Sequence, residues 1–382
     1  MEYAQESLIL HRKNKGKIQI SNKVPLETMD DLALAYTPGV AEPCLEIVRN
    51  PEAVFDLTNR GNTVAVITDG SAVLGLGNIG PEAAIPVMEG KCAIFKRFAN
   101  IDALPVVLKT NDVEELVRTI YLLSSNYAGI NLEDISAPRC FEVEERLRDI
   151  CSIPVFHDDQ HGTAIVAGAA LLNALKVVNK KIENIKVVIN GAGSAGIAIG
   201  KFLLCLGVKH LTLVDRFGII NKGDKNNNSA QEKMAQVTNI DNRVGSLKDA
   251  LIGSDVFIGV SIGNIVSQEM IRSMNKDAIV FPLANPTPEI SREDALKAGA
   301  AIVGTGVSNL PNQINNALVF PAIFKGAIDV RAKQITAKME IAAALALANT
   351  VSEKELNALY ILPNIFKEGI HQKIAEAVSK AV

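Results

Sequence analysis

Excess positive charge is missing from this chain. Its 382 residues carry 39 Lys and Arg against 42 Asp and Glu, a formal net charge of −3. Without a basic field there is no electrostatic footprint for nucleic acid or for an anionic membrane surface. Long apolar runs are missing too. No segment reaches the roughly 18–20 uninterrupted apolar residues of a spanning helix, so no membrane partner is expected. Five cysteines (Cys44, Cys92, Cys140, Cys151, Cys205) are scattered and odd in number, with no C-x-x-C pair. That usage excludes a disulfide framework and suits reduced thiols in the cytoplasm. The first residues, MEYAQESLILHRKNKGK, lack the basic and apolar regions of a secretory signal. A cytoplasmic enzyme or binding protein is the expectation.

What is present is an alternation of short β-branched runs with amphipathic stretches. TVAVITDG (63–70), LPVVLK (104–109), GINLEDI (129–135) and IPVFHDD (153–159) read as buried strands. Helical spacing fills the gaps at 81–99, 112–126 and 138–150. Strand–helix alternation argues for a parallel sheet with crossover helices. A small-residue helix at 161–179 could join this unit to a second one. There IKVVIN, GAGSAG, a helix and LTLVD follow in order, and further strands are expected near 255–260, 277–288 and 300–306. The fold class expected is two-domain α/β: 1–160 a parallel-sheet domain, 161–320 a Rossmann-type dinucleotide domain, and 321–382 C-terminal helices packing back on the first. Residues 340–351, EIAAALALANTV, suit either a dimer surface or core. The Asn-rich run 221–233 reads as a surface loop.

Two stretches match G-x-G-x-x-G: GLGNIG (75–80) and GAGSAG (191–196). A dinucleotide loop must follow a strand, open a helix whose N-terminus faces the pyrophosphate, and be followed about 20 residues on by an acid for the ribose. GAGSAG meets each condition, so Gly191, Gly193, Ser194, Ala195, Gly196 and Asp215 are the expected cofactor contacts. Asp215 favours NAD; its neighbour Arg216 leaves NADP open, since a guanidinium is the usual partner of the 2′-phosphate. GLGNIG runs straight into Pro81 and lacks the acid. It is either a tight turn between close backbones or part of the substrate side of the cleft.

Glu133 and Asp134 end one expected strand, and Asp158 and Asp159 end another. Carboxylates converging at strand C-termini repel unless a cation or proton compensates. Hard oxygen ligands favour Mg2+ or Mn2+; the alternative is that these acids cap the helices that follow. Lys91 and Tyr36 are further candidates, because a Lys beside a divalent cation can act as a base near neutral pH. Asn285, Asn315 and Asn316 are loop amides. His157 and His161 flank the acids without the spacing of a good zinc site.

YTPGVAEPC (36–44), TDGSAVLGLGNIGPEAAIPVMEGKCAIFK (68–96), INLEDISAPRCFEVE (130–144), PVFHDDQHGTA (154–164), GAGSAG and ANPTPE (284–289) together resemble the malic enzymes, of the small bacterial type, in order along nearly the whole chain. The resemblance implies oxidative decarboxylation of (S)-malate to pyruvate and CO2 with reduction of NAD(P)+. It implies Glu133, Asp134 and Asp159 as metal ligands, Lys91 as the base for the C2 hydroxyl and Tyr36 as the acid at the enol carbon. It implies Asp158 as support for Lys91, and Asn285 and Asn315 as substrate contacts; the homodimer expected here rests on the apolar run 340–351 instead. A malolactic variant, which retains NADH and yields lactate, and a non-catalytic dinucleotide sensor are the alternatives. Ala72 departs from the pattern, because larger family members place a carboxylate-binding Arg there.

Overall fold

The computed structural model describes residues 2–73 and 75–382. Four parallel strands, β1 (Thr63–Thr68), β2 (Asp102–Val107), β3 (Gly129–Leu132) and β4 (Val155–His157), form a first sheet in the order β2-β1-β3-β4. β1 and β3 are buried at every position. Strands covered on both faces need apolar side chains throughout, which is why TVAVIT does not alternate. Helices Pro81–Ala99, Val113–Leu123 and Arg139–Ile150 make the crossovers. Asp112 caps the second by accepting the Glu115 N–H at 2.9 Å, so that helix begins one residue later than the run at 112–126 suggests.

Asp158 and Asp159 correct the sequence reading more substantially. They do not end a strand; they are the first two residues of helix Asp158–Val177. β4 stops at His157 and the helix starts at the next residue, so both acids sit in the first turn, where the helix dipole favours negative charge. That helix leads to a second sheet of β5 (Lys186–Asn190), β6 (His210–Asp215), β7 (Gly218–Ile219), β8 (Val256–Gly259), β9 (Ile279–Pro282) and β10 (Ile302–Val303), in the order β10-β9-β8-β5-β6-β7. All pairings are parallel except β6 with β7, a hairpin in which Asp215 faces Gly218. The strand order reverses at β5, the switch point where open α/β sheets bind ligands.

The C-terminal chain forms helices Phe320–Asp329, Ala337–Ala348 and Ile370–Ser379, with turns between 349 and 369. Met339, Ala343, Ala344 and Leu347 are fully buried, so the 340–351 run is mainly core, packed on helices Asp158–Val177 and Ile370–Ser379. Helix Phe320–Asp329 packs against helix Pro81–Ala99. Phe95 meets Phe320 edge-on at 4.8 Å and Phe324 at 5.4 Å, and Phe156 meets Phe324 at 5.7 Å between ring centroids. These rings join the C-terminal helices to the first sheet, directly beneath the residues at its strand ends. Replacing Phe324 by Ala removes the shared ring of this cluster. It is expected to cost about 3–5 kcal/mol, read as a lowered denaturant midpoint in urea.

Candidate active site

Glu133 and Asp134 lie just past the end of β3, and Asp134 takes a left-handed backbone at φ 54°. Asp tolerates that conformation better than most residues, and it turns the chain back across the strand end. Asp159 comes from the first turn of the helix that follows β4. Carboxylate oxygens of Glu133, Asp134 and Asp159 lie within 4.8 Å of one another. The Asp134 N–H donates to Asp159 Oδ2 at 2.8 Å, and Asn131 Nδ2 donates to Glu133 Oε2 at 3.0 Å. Ala72, from the loop after β1, donates its N–H to the Asp134 carbonyl at 2.9 Å, so the position that departs from the family pattern borders the cluster.

Lys91 enters from helix Pro81–Ala99 and is buried. Its Nζ hydrogen-bonds Asp158 Oδ2, lies 3.0 Å from Glu133 Oε1, and sits 4.5 Å over the Phe320 ring. Burial by itself strips the proton from such an amine, but Asp158, Glu133 and Asp159 together outweigh it and hold the Lys91 pKa above the ordinary range. The carboxylates are shifted upward too, in their case by the burial itself. Burial and the charge of Asp159 push Glu133 up to about 7, and burial pushes Asp158 up to about 6 against the pull of Lys91. Glu133, Asp134 and Asp159, with Lys91 beside them, fit a divalent cation on their oxygens: the donor set is hard, largely buried and short of positive charge.

Behind the cluster stands a second charged group. His161, one turn along the helix that carries Asp158 and Asp159, lies 2.8 Å from Glu144 Oε1 and 2.9 Å from Glu340 Oε1. Burial lowers its pKa, yet these two glutamates raise it to about 10. Glu144 also accepts the His157 N–H at 3.2 Å. His157 itself is buried and pushed down to about 4 by that burial, so its ring is neutral. Neither Glu144 nor Glu340 was an expected functional residue. Glu144 left a trace: it shares a buried helical stripe with Cys140, Val143 and Leu147, where an acid needs a partner.

Of the other expected residues, Gly191, Gly193, Asp215 and Arg216 line one cavity of about 1100 Å³, and the Ser194 peptide opens helix Ser194–Cys205. Ala195 follows in the first turn. Gly196 serves packing: a Cβ there would meet the Gly191 carbonyl oxygen at 1.7 Å. Asn285 is exposed, on a loop held by buried Glu289, which accepts the Ser261 N–H at 2.9 Å and the Ala284 N–H at 3.1 Å. Asn315 caps the turn beginning at Asn316, and Asn316 packs beside Gly162 in the helix of Asp158. Tyr36 is 66% exposed at the end of helix Met29–Ala35, outside the cluster. GLGNIG does not line the dinucleotide cavity; a Cβ on Gly75 would meet Pro286 Cδ at 2.9 Å, so the loop lies against the Asn285–Pro286 turn.

A Rossmann-type dinucleotide cavity in the second sheet, in a chain that also holds a buried carboxylate–lysine cluster at the first, points to the class of dinucleotide-dependent dehydrogenases. Residues 15–148 match the model of the malic enzyme N-terminal domain, and 160–382 that of the malic enzyme NAD binding domain. The bifunctional malic/malolactic enzyme of Bacillus subtilis is 54% identical over 100% of this chain and 93% of its own. The NAD-dependent malic enzyme of Geobacillus stearothermophilus is 52% identical over 96% of this chain and 76% of its own. The crystal structure of the NAD-dependent malic enzyme of Thermotoga maritima superposes with a TM-score of 0.95 at 48% identity, covering 98% of this chain and 99% of that one. The chain belongs to the malic enzyme family.

The His161 pair has a measurable signature. A folded-state pKa of about 10 against an unfolded value near 6.5 means that its contribution to stability is full below about pH 6.5 and is lost as pH rises toward 10. The groups that set it are Glu144 and Glu340. The expected result is a denaturant midpoint that falls between pH 7 and 10, a dependence weakened in Glu144→Gln. An imidazole NMR resonance of His161 titrating near 6.5 would contradict it.

Proposed function

We propose that this protein oxidatively decarboxylates (S)-malate to pyruvate and CO2 with reduction of NAD(P)+, dependent on a divalent cation. The observation that carries this reading is a buried lysine in contact with the same glutamate that belongs to the three-carboxylate cluster. Glu133, Asp134 and Asp159 would hold Mg2+ or Mn2+, which would supply Lewis acidity to the substrate's C2 oxygen. Lys91 takes the C2 hydroxyl proton. With the negative charge of Glu133 and Asp159 matched, the field that holds Lys91 protonated weakens, and burial favours the neutral amine that a base requires. Asp158 orients Lys91 by their hydrogen bond. Asn285 and Asn315 contact substrate, Gly191, Gly193, Ser194, Ala195, Gly196, Asp215 and Arg216 contact the dinucleotide, and Tyr36 returns the proton to C3.

The same reading divides the chain into a substrate and metal domain (1–160), a dinucleotide domain (161–320) and C-terminal helices (321–382). It also makes the protein a homodimer. Helices Met29–Ala35 and Ala41–Arg49 bury no residue, and Met29, Leu34 and Val48 are each more than three-quarters exposed. Apolar side chains presented this way suit a second copy that would also draw Tyr36 out of solvent. A cytoplasmic location rests on five free cysteines, which suit a reducing compartment. Among the described residues no helix is long and apolar enough to cross a membrane.

A second reading is favoured by the Bacillus relative, whose name includes malolactic activity: the site keeps its NADH and returns the electrons to pyruvate, giving lactate. With malate, NAD+ and Mn2+, growth of absorbance at 340 nm that EDTA abolishes is the expected outcome; lactate without free NADH would select the second reading. Lys91→Ala should lower kcat by about 10²–10⁴-fold. Unchanged turnover in that variant would remove Lys91 from the mechanism.

A further inference from the structure

We propose that His157 is a positioning residue for the cation site, its ring being the donor that fixes the Asp159 carboxylate from behind. This inference rests on the metal-ligand role proposed above for Glu133, Asp134 and Asp159. His157 ends β4 and none of it is exposed, yet neither ring nitrogen has a hydrogen-bond partner among the described residues. An imidazole carries at least one N–H, and an unpaired buried donor is costly. The other uses of the residue involve its backbone and not its ring. Its N–H donates to Glu144 Oε1 at 3.2 Å, and as the residue before helix Asp158–Val177 it makes no side-chain cap. Volume alone would be met by an apolar side chain like those of Val155 and Phe156 before it.

The place of the ring points to its use. Along β4, Phe156 belongs to the core shared with Met88, Cys92 and Phe95 of helix Pro81–Ala99, and Val155 to the core shared with Cys140, Val143 and Leu147. Successive side chains of a strand alternate, so His157 shares the face of Val155. Lys91 therefore reaches the acids from one face of the sheet and His157 from the other. His157 Nδ1 lies 3.8 Å from Asp159 Oδ2, just beyond hydrogen-bond length. That oxygen already accepts the Asp134 N–H at 2.8 Å, and a carboxylate oxygen has room for a second donor. The Asp159 side chain keeps 23% of its surface exposed while the His157 ring keeps none, so the ring stands on the closed side of the carboxylate. Once the outward lone pairs of Asp159 are committed to a ligand, a second donor to Oδ2 fixes the plane of the carboxylate and keeps it aimed at the cluster. His161 is engaged with Glu144 and Glu340 and does not serve this purpose.

Binding of Mn2+ to the full chain, stripped of metal with EDTA and read without malate or dinucleotide from the electron paramagnetic resonance of free Mn2+, tests this. His157→Leu should weaken Mn2+ binding by about 10–100-fold, the range for losing an outer partner of a metal ligand. His157→Asn, whose amide nitrogen can stand where Nδ1 does, should stay within about threefold of wild type. His157→Gln moves the amide to the place of Nε2. It should behave like His157→Leu, and it stands in for that variant if the apolar one folds poorly. In turnover, the Mn2+ concentration giving half-maximal rate should rise in His157→Leu by more than KM for malate does. Wild-type affinity in both His157→Leu and His157→Gln, or equal loss in His157→Asn and His157→Leu, would overturn the proposal. Mn2+ binding that Asp159→Asn leaves untouched would refute the metal-ligand reading and the role of His157 with it. Binding that Asp159→Asn weakens and His157→Leu does not would overturn the role of His157 alone.

Discussion

The contact between Lys91 and its two buried acids is the constraint around which the rest of the chain is arranged. A lysine and four carboxylates in one buried volume are costly to desolvate, and only close pairing offsets that. Each acid is delivered by the C-terminal edge of the first sheet: Glu133 and Asp134 after β3, Asp158 and Asp159 after β4. Lys91 has to come from the opposite direction, and it does so from the middle of a 19-residue helix that crosses from β1 to β2. The register of β3 with β4, which pairs Leu132 with His157, brings the two acidic pairs to the same level. A slip of one residue would turn one pair to the other face of the sheet.

Supports behind the cluster follow from the same electrostatics. Helix Asp158–Val177 starts with two acids that repel one another, so its first turn must be anchored by something other than their own packing. His161, charged and held by Glu144 and Glu340, ties that turn to helix Arg139–Ile150 and to helix Ala337–Ala348 at once. The C-terminal helices thereby contribute to the site although none of their carboxylates belongs to the metal-ligand candidates. Phe320 shows the same division of labour: its ring packs with Phe95 on one side and lies beneath the Lys91 ammonium on the other.

Much of this was legible in the sequence because strands buried on both faces leave continuous apolar runs, and their ends are marked by the first polar residue. Glu133 and Asp134 could be singled out on those grounds; Lys91, within a helix, stood out only as a lysine able to act as a base beside a divalent cation. The boundary at Asp158 could not: β4 passes into a helix without a loop, and nothing in IPVFHDD separates a strand end from a helix start. Glu340 was illegible for a different reason. It acts through His161, distant in the chain, and the 340–351 run carries no pattern that names that partner. Tyr36 was legible as an unusual residue, but the helix it follows buries nothing in a single chain, so its surroundings depend on what covers that helix.

The two G-x-G-x-x-G stretches show what the letters of a fingerprint encode. In both, a glycine is demanded by the approach of another backbone or ring. At Gly196 the visitor is the Gly191 carbonyl, folded back by the same turn, and the result is a helix start brought up against the end of β5. At Gly75 the visitor is Pro286, from the far sheet, and the result is contact between the loop after β1 and the loop that carries Asn285. The first approach is local and closes the turn whose Gly191 and Gly193 line the cavity at the end of β5. The second joins two loops that are separated by more than 200 residues and brings the loop containing Ala72 and the loop containing Asn285 to one side of the cleft. Close approach is the shared requirement, and the neighbour that makes the approach decides which parts of the fold the glycine brings together.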